Sequence, residues 1–205
     1  MEQYLKILKV NLKLLRSYLF IAVLFLCISP IIFGLSNLDA VSSAQILEKY
    51  IALIGIVLLV PIFQPEENIA IKDVIVSKYI SIIKIYLIRI LESLVITSFL
   101  IFLFIMCMRI NFCDFYAPLY FAGTLAEAVF LGALGMFFYS ISDQIVIGYM
   151  VPFLYYILCS FGGNRYLGYL YLFSMMQGSY IEKCILCILG VVFIILSIIY
   201  KYVKK

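Results

Sequence analysis

Long apolar runs separated by short polar or charged segments set the pattern of this chain, and the first segment is different in kind. In MEQYLKILKVNLKLLR the cations Lys6, Lys9, Lys13 and Arg16 recur at spacings of 3, 4 and 3, with Leu5, Leu8, Leu12 and Leu15 in the same rhythm beside them. That is the period of a helix with one basic and one apolar face, so residues 1–16 are expected to form an amphipathic helix at the membrane interface. Apolar runs follow at about 17–35, 46–63, 85–108, 115–141, 145–161 and 184–200. Each is close to the roughly 20 residues that cross a hydrocarbon core. The runs are continuous rather than alternating, and lipid offers no partner to a backbone amide, so they are expected to be helices rather than barrel strands. The first run shows no small-x-small cleavage site and reads as a retained span, not a signal peptide. The expectation is an all-α, polytopic integral membrane protein: one transmembrane domain over 1–205, with six spans.

Composition removes the soluble alternative. Apolar residues make up 66% of the 205-residue chain and charged residues 13%, with a mean hydropathy of +1.18, whereas soluble domains are about half apolar and a quarter charged. The net charge of +4 does not indicate nucleic acid, because the cations sit beside membrane runs rather than in a basic domain of their own. Their distribution reports topology instead. Lys6, Lys9, Lys13, Arg16, Lys72, Lys78, Lys84, Arg89, Lys201, Lys204 and Lys205 fall on one side of a six-span map, and only Lys49, Arg109, Arg165 and Lys183 on the other. Both termini are therefore expected on the cytoplasmic side of a cell membrane. With no histidine, the chain lacks the commonest metal ligand and the usual base of hydrolytic triads. Its six cysteines lie mostly inside apolar runs, where a thiol acts as a small hydrophobe. Cys184-x-x-Cys187 has no second ligand pair and reads as packing. No metal or cofactor is expected on this chain.

Three segments are candidates for function. PEENIAIKDVIVSKYISIIK begins with Pro65 and the acidic pair Glu66 and Glu67, suited to a helix N-terminus. It continues with Ile71, Val74, Ile75 and Tyr79 among Lys72, Asp73 and Lys78. A short amphipathic helix on the cytoplasmic face fits this pattern, either as a plain connector or as a docking helix for a folded partner. Within the spans, Glu127 is the only charge between Asp114 and Asp143, and a carboxylate so deep is a functional hypothesis by default. An interhelical hydrogen bond and a place on the transport pathway are both open to it. Ala122, Ala126, Ala128 and Gly132 beside it allow close helix approach. Arg89 and Glu92, three apart on one face, read as a pair anchoring the start of the third span. The third segment, FGGNRYLGYLYLFSMMQGSYIEK, is a glycine-broken aromatic loop. Phe161, Tyr166, Tyr169 and Phe173 in it read as interfacial anchors or as an outer gate.

The order of these features resembles the permease subunits of type 2 ATP-binding-cassette (ABC) exporters. A basic amphipathic helix and two spans come first, then a cytoplasmic segment with Glu after span two and Ser-Lys before an Arg-bearing span three. Three more spans with an aromatic outer loop complete the likeness, which covers nearly the whole chain. Its most specific part is EENIAIKDVIVSKYISIIKIYLIR, from Glu66 to Arg89. The resemblance implies that this segment is a coupling helix, with Glu66, Glu67, Lys72, Asp73 and Lys78 seated on a separately encoded ATPase, and that two copies pair to line the pathway. It also implies that ATP is hydrolysed on the partner, in keeping with the lack of any G-x-x-x-x-G-K-[ST] loop in this sequence. An aromatic, apolar gate suits an amphipathic peptide or lipid rather than a small ion. The Ile- and Lys-rich, Trp-free composition points to an AT-rich bacterium, where export of, or immunity to, an antimicrobial peptide is a reasonable cargo role. The competing class is a small-solute-binding membrane subunit or secondary carrier built around Glu127. An intramembrane enzyme is disfavoured, since no Ser/His dyad, facing aspartate pair or acidic cation cluster is present.

Overall fold

The computed structural model describes residues 2–66, 82–163 and 167–204, with 2–10 and 66 described by their backbone alone. The elements among these residues are all helical. They are α1 (Glu2–Phe33), α2 (Ala40–Lys49), a 3-10 turn (Ile51–Leu53), α3 (Ile54–Leu59), a 3-10 segment (Val60–Glu66), α4 (Ile82–Ile110), α5 (Ala117–Ser142), α6 (Ile145–Gly162), two further 3-10 turns (Gly168–Leu170 and Met175–Gln177) and α7 (Ile181–Val203). Among the described residues, six stretches are long and apolar enough to cross a membrane: Asn11–Phe33, Ala40–Pro65, Ile82–Ile110, Ala117–Ser142, Ile145–Gly162 and Ile181–Val203. The protein is an all-α, multi-pass membrane protein, as its hydropathy pattern predicts.

Two spans differ in kind from that pattern. The amphipathic segment and the first span form one unbroken helix of 32 residues, about 48 Å long at 1.5 Å per residue, so no joint separates them at Ser17. The second span, by contrast, is not a single helix. Its regular hydrogen bonding breaks at Tyr50, whose backbone turns to φ −123° and ψ −57°, and the chain then alternates short α and 3-10 pieces down to Glu66. The second span is also the most enclosed of the six: 78% of its apolar window is buried, against 17% for the first and fifth.

That enclosure depends on small residues along α5, the element against which α7, α6 and α3 all pack. A Cβ on Gly55 would lie 2.0 Å from the Ala128 carbonyl oxygen, and one on Gly132 would lie 2.5 Å from the Gly55 carbonyl oxygen. The two backbones are in direct contact, as small-residue seams permit in membranes, where dispersion rather than water exclusion drives helix association. The same helix meets α6 where Gly135 and Gly148 face one another, and meets α7 where Gly190 lies against Phe130. Outward faces are apolar and exposed, including Phe20 and Leu24 on α1, Leu91 and Phe99 on α4, Leu158 on α6 and Ile188 on α7. This is the surface that lipid covers.

The two ends of the bundle are tied differently. At the end carrying residues 34–39, 111–116 and 167–180, the first two loops are joined by backbone bonds from Asn37 to Asn111 (3.1 Å) and from Asp114 to Leu38 (3.0 Å). At the opposite end, α5 turns into α6 through Asp143, which adopts the left-handed conformation (φ 53°) that Asp tolerates better than most residues. Its carboxylate binds Lys201 at 2.6 Å and Lys204 at 2.7 Å, fastening the last turn of α7 to the bundle.

Candidate functional site

Near the loop end, three helices each contribute one charged side chain to a single buried point. Glu48 comes from the last turn of α2, Glu127 from the middle of α5 and Lys183 from the first turn of α7. The Lys183 ammonium lies 2.6 Å from Glu48 Oε1 and 2.6 Å from Glu127 Oε2, with side-chain exposures of 4%, 0% and 0%. Its third proton is donated to the carbonyl of Leu172, so all three ammonium donors are occupied. Glu48 also accepts the backbone N–H groups of Met175 (2.8 Å) and Met176 (3.3 Å). Glu127 Oε1 is buried and has no hydrogen-bond partner among the described residues.

Local sequence explains why this point exists. Gly123 stands one helical turn before Glu127 on the same face of α5. A Cβ there would lie 2.3 Å from Met175 Sδ and 3.7 Å from Lys183 Cγ. The missing side chain admits both the Met175 thioether and the lysine stem. Residues 170–176 are thereby drawn over the cluster as a cap. Tyr155 donates to Leu170 O (2.5 Å), Tyr156 donates to Lys49 O (2.8 Å), and the Phe173 ring receives edge contacts from Tyr156 and Tyr171 with Lys49 Nζ 5.7 Å from its centre. Burial, with the nearby negative charge of Glu48 behind it, raises the Tyr171 phenol above its ordinary range.

A second polar group lies toward the other end. Arg89 donates to the Ile62 carbonyl at 3.3 Å, bracing the 3-10 stem of the second span against α4. Asn11 on α1 donates to Glu92 Oε2, while Glu92 Oε1 is buried without a partner among the described residues. Tyr18 on α1 donates to Gln64 in the same stem. At the turn between α5 and α6, Asp143 is partly buried, which alone would raise its carboxyl, but Lys201 and Lys204 hold it below the usual carboxylate range.

These placements sort the candidates named from sequence. Glu127 falls in the triad, while Arg89 and Glu92 fall in the separate group nearer the 3-10 stem. Glu66 ends that stem, and Glu67, Lys72, Asp73 and Lys78 lie outside the described residues, as does Tyr166. The remaining aromatic candidates do not share a surface: Phe161 is 89% and Tyr169 69% exposed, whereas Phe173 is buried. Cys184 and Cys187 are exposed on α7. Glu48 and Lys183 are the residues that sequence reasoning missed. Their helices begin earlier than the hydropathy runs, at Ala40 and Ile181 rather than near 46 and 184, which moves both charges from the span ends into the packed interior. Lys183 therefore carries no topology information as a cation, because it is paired and buried. The available signal was Glu127 itself, since a carboxylate at that depth calls for a cation at the same depth.

Compared with known proteins, the chain matches no protein-family model, no curated protein and no solved structure.

Proposed function

We propose that this chain is the membrane-spanning permease subunit of an ABC exporter of the type 2 class, resident in a bacterial cell membrane with both termini inside. It pairs with a second copy, and a separate cytoplasmic ATPase drives it. The cargo is a peptide or another amphipathic molecule, with export of or immunity to an antimicrobial peptide as the role. One observation carries this reading: the order of elements. A basic helical segment leads directly into span one, a charged amphipathic stretch from Glu66 to Arg89 joins spans two and three, and an aromatic loop precedes span six. The bracing of α4 against the second-span stem through Arg89 and Ile62 supports the same reading. Two braced segments on either side of a docking segment can transmit a push from a partner.

The test is association. Reversing the charges of Glu66 and Glu67 to Lys should abolish co-purification of the ATPase and stop transport, with the chain still inserted in the membrane. Unchanged association and transport would remove the docking role. One feature favours a second reading, a self-sufficient carrier of a small solute or ion, namely the charged triad buried among the spans. Tight binding of a small solute by the purified chain alone would select that reading.

A further inference from the structure

We infer that the cluster of Glu48, Lys183 and Glu127 is a proton-binding site, with the proton carried on Glu127 Oε1 beneath the cap of residues 170–176. The inference concerns this chain alone and goes beyond the exporter reading, since it needs neither the ATPase nor the cargo.

The first step is charge. Two carboxylates and one ammonium meet with side-chain exposures of 0%, 0% and 4%, so the fully ionised cluster carries one uncompensated negative charge away from water. A buried charge without a partner is among the most unfavourable arrangements a membrane protein can hold. Among the described residues, the groups facing the cluster from the packed elements do not supply the missing cation. Tyr120 on α5, Tyr155, Tyr156 and Cys159 on α6, and Tyr171 in the loop all interact with its charges, but phenols and thiols are neutral donors. Lys49 on α2 points its ammonium at the Phe173 ring.

The second step assigns the proton. Glu48 accepts from Lys183, Met175 and Met176, and donors of this number hold a carboxylate ionised. Among the described residues Glu127 accepts through Oε2 only, and its Oε1 is buried without a partner. With one proton on Oε1, Lys183 and Glu48 form a neutral ion pair and Glu127 is a neutral acid still accepting from Lys183 through its carbonyl oxygen. Two carboxyl groups sharing one lysine, one rich in donors and one poor, is the arrangement that separates an acid from a base.

The third step is the exchange route. Leu172, Phe173 and Met175 cover the cluster and are buried, and the cap is held to it by the Leu172 carbonyl and the Met175 and Met176 amides. The proton passes from Glu127 to water at the loop end when this cap lifts. Release leaves the cluster with its excess charge and so favours the hydrated, lifted state, which couples proton occupancy to closure at that end.

Infrared difference spectroscopy on the full chain in lipid nanodiscs, with and without ¹³C-glutamate, tests this. At neutral pH the wild-type chain should show a label-shifted carboxylic-acid C=O band that disappears as pH is raised. The band should be lost in Glu127→Gln, and lost equally in Glu48→Gln, where one remaining carboxylate balances Lys183. It should persist in Glu92→Gln, which removes the other buried glutamate with an unpartnered oxygen. Absence of a labelled acid band in the wild-type chain, or its survival in either Glu127→Gln or Glu48→Gln, overturns the assignment. The wild-type measurement decides the first point even where a variant fails to fold.

Discussion

Lys183 places its three ammonium donors on Glu48, Glu127 and the Leu172 carbonyl, so removing it leaves the Glu48 carboxylate buried without its cation. Breaking a buried pair from one side costs about 3–5 kcal/mol, whereas replacing all partners by neutral groups of similar shape is often tolerated. Lys183→Met should therefore lower thermal stability in detergent sharply. The triple variant Lys183→Met, Glu48→Gln, Glu127→Gln should recover most of the loss, by size-exclusion thermostability. Equal destabilisation of the two would mean that packing of the lysine stem, not charge, sets the effect. A milder case is Asp143, whose carboxyl Lys201 and Lys204 hold below the ordinary value of 3.8. A depressed carboxylate stabilises the fold above its unfolded value and loses that contribution as pH falls through its folded value. Protease protection of the last turn of α7 should persist at neutral pH and fade only in strong acid. Asp143→Asn should show reduced protection at neutral pH, by no more than about 1 kcal/mol because the pair is exposed.

Elements in this molecule are set by two kinds of signal, and only one is local. Apolar length is local, and it places the six spans to within a few residues. Neither the break in span two at Tyr50 nor the contact of Gly55 with Ala128, residues far apart in sequence, is reported by a hydropathy window. The same limit hid the triad. Lys183 lies 56 residues from Glu127, and at the start of the sixth apolar run it reads as an ordinary boundary charge. Ala128 and Gly132 were visible as small residues beside Glu127, but their partner surface was not. Close packing there makes a sharp prediction. Gly55→Val would drive side-chain atoms into the Ala128 backbone, and overpacking of this kind costs typically 1–3 kcal/mol, more where backbone rather than a flexible side chain must yield. Melting of the detergent-solubilised variant should fall well below that of Gly34→Val, a site where a Cβ meets nothing within 4 Å although its positive φ adds local strain.

At the scale of the whole molecule, the two polar groups divide the bundle. The triad ties the second, fourth and sixth spans beneath the cap, while Arg89, Glu92, Asn11, Tyr18 and Gln64 tie the first and third spans to the second-span stem beside the connection that follows Glu66. Spans two and four run between these groups and are the most enclosed, at 78% and 67%, so a displacement at one end has a packed route to the other. That a partner moves this membrane subunit is the central proposal. Mild-detergent affinity purification of the chain from its native membrane, with mass-spectrometric identification of what accompanies it, tests that claim most directly. The account predicts a soluble ATPase recovered in equal amount. Recovery of the chain alone, under conditions that keep a known ABC complex intact, would contradict it.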